Sequence, residues 1–116
     1  MADRVEGVYR YVAAFAWGLV EQGVEDVVFC PGSRSAPLVL TLALGPARCG
    51  RLRMWRHIDE RSAAYFALGM ARAAGRPVAV VTTSGTAAAN LLPAAAEAYH
   101  DRVPLLFLTA DRPPEL

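Results

Sequence analysis

Four polar clusters in this chain hold residue types that can do chemistry: Pro31-Gly32-Ser33-Arg34-Ser35, Asp59-Glu60-Arg61, Thr83-Ser84-Gly85-Thr86 and Asp111-Arg112-Pro113-Pro114. Glu60 is the candidate catalytic acid, because a carboxyl group exchanges protons near neutrality once an apolar pocket raises its pKa. The same acid at a helix start also has a plainer use. The helix dipole favours a negative charge there by a few tenths to about 1 kcal/mol and keeps it ionised. Ser33, Arg34 and Ser35 combine hydroxyls, a guanidinium and free backbone N–H groups, which suits a carboxylate or a phosphate. An ordinary strand-to-helix turn capped by Ser35 has the same composition. Ser84, Gly85 and Thr86 can receive a flat or anionic ligand or simply cap a helix. Arg112 offers a bidentate fork to a carboxylate, or else a surface ion pair with Asp111 or Glu115.

Each cluster falls where an apolar run ends. Residues 5–20 repeat Val, Tyr, Phe, Ala and Leu at helical spacing, with Asp3 as a cap and Gly23 as a left-handed stop. Residues 24–30 read as a buried strand, and Ser35 caps a helix that Gly45-Pro46 ends near Leu44. Residues 51–56 form a second strand. Asp59 caps a helix running to Ala74, closed by Gly75. Residues 77–83 form a third strand, and Ser84 opens a helix to His100 that Pro93 should kink. Residues 103–109 form the last strand. The expected order α-β-α-β-α-β-α-β, with strands apolar on both faces, is an α/β fold whose parallel sheet carries helices on both sides. Its binding crevice lies at the carboxyl ends of the strands, where all four clusters sit. Alanine-rich helices allow close packing on the sheet or against a second subunit, so a dimerisation domain is a further reading.

Composition removes several alternatives. The chain has 116 residues, one domain at most, and 54% hydrophobic content, enough for a core. A net charge of +1 gives no electrostatic reason to bind nucleic acid or a membrane surface. No run of about 18 apolar residues exists, and the first residues lack the build of a signal peptide, so a cytoplasmic location is expected. All twelve basic residues are arginine. Without lysine, Schiff-base chemistry and a Walker-type phosphate loop fall away. His57, His100, Cys30 and Cys49 are too few and too scattered for a zinc site, so no metal ligand is assigned. Cys30, at a strand end, reads as a small buried hydrophobe.

Taken together, Pro31 to Leu38, Asp59-Glu60-Arg61, Thr83 to Ala87 and Leu108 to Leu116 resemble the amino-terminal part of the 2-succinyl-5-enolpyruvyl-6-hydroxy-3-cyclohexene-1-carboxylate synthases. These are thiamine-diphosphate-dependent transferases of menaquinone (vitamin K2) biosynthesis. The likeness runs in order through essentially the whole chain. The resemblance implies decarboxylation of 2-oxoglutarate on thiamine diphosphate and addition of the succinyl-semialdehyde unit to isochorismate, with Mg2+ anchoring the diphosphate. It implies that Glu60 binds a ring nitrogen of the cofactor's aminopyrimidine and performs its acid–base work. It places Ser33, Arg34 and Arg112 on substrate carboxylates and Ser84, Gly85 and Thr86 near the pyrimidine.

Family enzymes are several times longer, so residues 1–116 are expected to be a partial pyrimidine-binding domain lacking the central and carboxy-terminal domains. On that reading cofactor and Mg2+ are held mainly elsewhere, the full-length protein is a homodimer or homotetramer, and this chain alone is inactive. Two other readings stay open: another thiamine-dependent decarboxylase or ligase, and a non-catalytic anion-binding α/β module.

Overall fold

Val27 and Val28 point to opposite faces of one strand, and both are fully buried. Such a strand must be covered on both sides. It is β1 (Asp26–Phe29), and it pairs in parallel with β2 (Arg53–Arg56) on one side and β3 (Val78–Thr82) on the other. β4 (Leu105–Thr109) joins β3, giving the all-parallel order β2-β1-β3-β4. The structure, a computed structural model, describes residues 1–112 and Pro114. Pro113, of the last polar cluster, and Glu115, named above as an ion-pair partner of Arg112, lie outside the described residues, as does Leu116.

Two cores follow from the pleat. Val27, Ala79 and Val81 meet Ala16 and Val20 of α1 (Ala2–Glu21) and Leu42 of α2 (Ala36–Leu42). Val28, Cys30, Val78 and Val80 meet α3 (Glu60–Ala74) and Ala94 of α5 (Leu92–Asp101). Ala63, Ala64, Ala67 and Ala71 of α3 have no exposed surface. Their small side chains let the helix lie close to the sheet, and larger ones would overpack it at about 1–3 kcal/mol each. The chain steps from β1 to β2 over one face, then back across to β3 and on to β4 over the other, as right-handed crossovers require. Among the described residues, no helix is long and apolar enough to cross a membrane.

Several local expectations are corrected. Met1 occupies the cap position of α1, while Asp3 lies inside the first turn, where the dipole favours it. Ser35 sits at the start of α2 with helical dihedrals, and its hydroxyl donates back to the Gly32 carbonyl at 3.1 Å instead of capping an N–H. Gly45-Pro46 does not stop the helix. The Pro46 ring crowds the carbonyl four residues earlier, and the ladder widens into a π-helical turn over Ala43–Ala47. The single kinked helix expected around Pro93 is two helices, α4 (Thr86–Ala89) and α5, with Pro93 in the first turn of α5, where its missing N–H costs nothing. Asp59 and Gly75 behave as expected: the Asp59 carboxylate accepts from the Ser62 N–H at 2.8 Å, and Gly75 takes φ +67 beyond the last turn.

One buried charge ties the sheet together at its opposite, amino-terminal edge. Asp26 is 3% exposed and accepts a two-point bond from Arg53 at 2.8 and 2.9 Å and a bond from the Trp55 indole N–H at 3.0 Å. Arg76 stands 4.0 Å away and also pairs with Glu25 at 3.1 Å. The Arg53 bonds hold the Asp26 carboxyl below its ordinary range, against the opposing effect of burial. A lowered folded-state pKa contributes stability above the ordinary carboxylate pKa, lost as pH falls through the folded value. Arg53 is 60% exposed and can return to water, so losing the pair costs less than the ~3–5 kcal/mol of a fully buried one. Urea unfolding of Asp26→Asn at pH 7 should show a loss of about 2 kcal/mol relative to the parent. That difference should shrink once the pH is below the range in which Asp26 ionises.

Candidate functional site

β1 and β3 are neighbours, yet β1 feeds α2 on one face while β3 feeds α4 and α5 on the other. A crevice opens where the chain directions part, beyond the carboxyl ends of the strands. Two of the polar clusters form its walls. Gly32 follows β1 and Thr83 follows β3, and they come so close that a Cβ on Gly32 would lie 2.6 Å from the Thr83 Cβ. Only glycine fits there. With the turns so joined, Arg34 Nη1 donates to the Ser84 hydroxyl at 3.2 Å across 50 residues of sequence.

The third wall comes from β4. The Ala110 N–H donates to the Thr82 carbonyl at 3.0 Å, which extends the β3–β4 pairing past the last strand residue. Arg112 then lies over the Thr83–Thr86 turn, its Nη2 3.8 Å from where a Cβ on Gly85 would be. Gly85 adopts φ 75 and ψ −130, a backbone conformation open to glycine and strained for other residues. Asp111 does not pair with the Arg112 guanidinium; its carboxylate accepts from the Arg112 backbone N–H at 2.7 Å. Among the described residues, neither Arg34 nor Arg112 has a carboxylate partner. Ser33 and Thr86 are exposed on the same rim.

Glu60 is half-buried at the first residue of α3, and among the described residues its carboxylate has no hydrogen-bond or ion-pair partner. Beneath it lies Cys30, 1% exposed, which packs with Ala63 and Ala64 of the same helix and directly precedes the Pro31 turn. Burial, then the nearby Glu60 and Asp59 charges, push the Cys30 thiol up to about 11. The N–H and hydroxyl of Ser62 hold Asp59 below the ordinary carboxylate range, so Asp59 is occupied as a cap while Glu60 is left available. The His57 and Trp55 rings pack at a tilt against Phe66, with centroids 4.6 and 5.6 Å from its own, making an aromatic edge beside this turn. A groove of about 380 Å³ adjoins Arg34 and Ser35 on the α1 side and is floored by Leu38 and Val81; Glu60 does not line it.

The structure thus brings together Arg34, Ser84, Gly85 and Arg112 from the turns after β1, β3 and β4, while Glu60 stands after β2, near Cys30. Sequence reading missed the adjacency of Cys30 to Glu60 and the Gly32–Thr83 contact. The only hint was Gly32, the second residue of its cluster. Among the described residues, no group of three or more His, Cys, Asp or Glu side chains could hold a metal ion.

Residues 10–116 match the family described as thiamine pyrophosphate enzyme, N-terminal TPP binding domain. The chain is 62% identical over 97% of its length to a 2-succinyl-5-enolpyruvyl-6-hydroxy-3-cyclohexene-1-carboxylate synthase of Chloroflexus aurantiacus, and covers 18% of that protein. It is 63% identical over 91% of its length to the enzyme of the same name from Geobacillus thermodenitrificans, covering 17%. The chain therefore spans under a fifth of the curated relatives it matches. Among solved structures, benzoylformate decarboxylase from Polynucleobacter necessarius superposes with a TM-score of 0.74 over 90% of this chain and 19% of that one. At 21% identity this likeness concerns the fold alone.

The Gly32–Thr83 contact makes a direct test of the geometry. Gly32→Ala should destabilise the chain by about 1–3 kcal/mol in urea, as overpacking does. Adding Thr83→Gly should recover part of the loss, and the double-mutant cycle measures the coupling.

Proposed function

Because the chain belongs to the thiamine pyrophosphate enzyme N-terminal TPP binding domain family, we propose that it is the pyrimidine-facing part of a 2-succinyl-5-enolpyruvyl-6-hydroxy-3-cyclohexene-1-carboxylate synthase. The carrying observation is that one unpaired, half-buried carboxyl after β2 and two guanidiniums without carboxylate partners among the described residues, after β1 and β4, all stand at the carboxyl ends of the parallel strands. The curated relatives bearing that name support the specific reaction. The substrates are then isochorismate and 2-oxoglutarate, and the pathway is menaquinone biosynthesis.

Each residue's part follows from its chemistry. Glu60 binds a ring nitrogen of the cofactor and holds or accepts a proton at its carboxyl oxygen. Cys30 stays a neutral thiol below about pH 11 and adds no charge of its own under Glu60. Ser33, Arg34 and Arg112 hold substrate carboxylates, for which a guanidinium offers paired, parallel donors. Ser84, Gly85 and Thr86 border the pyrimidine. Bound thiamine diphosphate supplies the capacity to decarboxylate an oxo acid and pass on the remaining acyl unit. Its diphosphate and Mg2+ belong on the parts of the longer relatives that lie beyond this chain's span, within a homodimer or homotetramer. Residues 1–116 are accordingly part of an amino-terminal domain, inactive by themselves.

Glu60→Gln in the full-length protein should lower carboligation about 10²–10⁴-fold with an unchanged circular dichroism spectrum. A parental rate would favour an anion-binding module in which Glu60 only serves the helix start. Calorimetric titration of the 116-residue chain with thiamine diphosphate and Mg2+ should give no micromolar binding. Tight binding would contradict the assignment of the diphosphate site to other regions.

A further inference from the structure

Alanine seats α3 closely on the sheet but does little to lock it there. Ala63, Ala64, Ala67 and Ala71 carry its contact with β1 and β3. A face of single methyl groups lacks the large side chains that would interdigitate and oppose sliding or rotation. Glu60 is the first residue of that helix. Any shift of α3 therefore displaces the carboxyl at the strand ends, and a misplacement of about 1 Å can cost an enzyme roughly 10²-fold in rate.

The strand that leads into the helix supplies the missing grip. α3 lies over β1 and β3, and β2 reaches it through the rings of two residues. Trp55 and the following His57, two positions on, share one face. Both pack against Phe66 of α3, with centroids 5.6 and 4.6 Å away and planes tilted by 54° and 47°. Phe66 stands six residues after Glu60, roughly 1.7 turns along the helix.

Both gripping residues are themselves fixed. The Trp55 indole N–H donates to the buried Asp26 carboxylate at 3.0 Å. The His57 backbone N–H donates to the Phe29 carbonyl at 2.9 Å, which carries the β1–β2 pairing past the last strand residue. Only Ile58 and Asp59 separate His57 from Glu60. Asp59 is held in turn, since its carboxylate accepts from both the N–H and the hydroxyl of Ser62 at 2.8 Å. The turn bearing Glu60 is thus held by the strand at one end, by the cap at the other, and by aromatic packing across the two.

We propose that Trp55 and His57 clamp Phe66 and thereby act, with it, as positioning residues that set the place of Glu60 at the strand ends. The catalytic consequence rests on the role given to Glu60 in the synthase reading. The clamp itself is a property of this chain.

Two measurements on the full-length protein test it. Phe66→Leu should lower kcat roughly ten- to a hundredfold, with KM for isochorismate within about twofold of the parent, because the arginines stand on other strands. Phe66→Tyr and His57→Phe keep the ring packing and should keep kcat within about threefold. An unchanged kcat in Phe66→Leu, or a loss expressed in KM, overturns the proposal. So does a His57→Phe loss as large as that of Phe66→Leu, which would make the imidazole nitrogens the active feature. Hydrogen exchange needs no turnover. The Ser62 and Ala63 amides, both bonded to Asp59, should exchange roughly tenfold faster in Phe66→Leu, with the β3 amides unchanged. Equal exchange at Ser62 and Ala63 overturns the clamp, and faster exchange throughout β3 overturns it as well, by making Phe66 a general core residue. If the full-length protein makes no product from isochorismate, the synthase reading fails alone, and the exchange measurement still decides the clamp.

Discussion

Two adjacent parallel strands that send their chains to opposite faces impose the constraint on which this molecule is built. β1 and β3 run side by side with Val28 opposite Val80, so the residues that follow them start only one strand spacing apart. One of the two turns must then do without a side chain, or they would collide. Gly32 meets that demand against Thr83. That contact brings the Arg34 turn within reach of Ser84. The valine-rich strands and alanine-rich helices serve to keep these two strand ends in register.

The two edges of the sheet divide stability and chemistry between them. At the amino-terminal edge a buried carboxylate, Asp26, is satisfied by Arg53 and Trp55, with Arg76 close by. Its bonds link β1 to the neighbouring strand and leave the group no capacity for further work. The carboxyl-terminal edge is arranged the other way. Glu60 lacks a partner among the described residues, and Arg34 spends one donor on a neutral hydroxyl. Groups left with unused hydrogen-bonding capacity in a half-dry crevice have more to gain from a ligand than groups already paired. A single sheet can hold both arrangements because its edges are separated by the length of a strand.

Much of the architecture was legible in the chain. Val27 to Cys30 and Val78 to Val81 are apolar at every position, which only a strand covered on two faces can use. Asp59 and Gly75 bracket α3 as cap and stop because both act through their own local backbone. The polar clusters were legible for the same reason, since each begins where a strand's hydrophobic run stops. The corrections occurred where a residue had two outlets for one group. Ser35 could cap forward or bond backward, and the crowded Gly32 turn supplied a carbonyl acceptor three residues earlier. Pro46 and Pro93 each announced a disturbance, but neighbouring packing decided that one widens a helix and the other begins a new one.

Sequence alone determined the order of elements, the class of sheet, and the presence of an acid and two arginines at strand ends, because periodicity and capping act over a few residues. Tertiary structure decided which of those groups meet. Arg34 and Ser84 stand 50 positions apart, and their bond exists only because two strands pair and a missing Cβ lets their turns touch. The same holds for Cys30 beneath Glu60: each is readable by itself, while the electrostatic relation between them arises from helix α3 lying on β1.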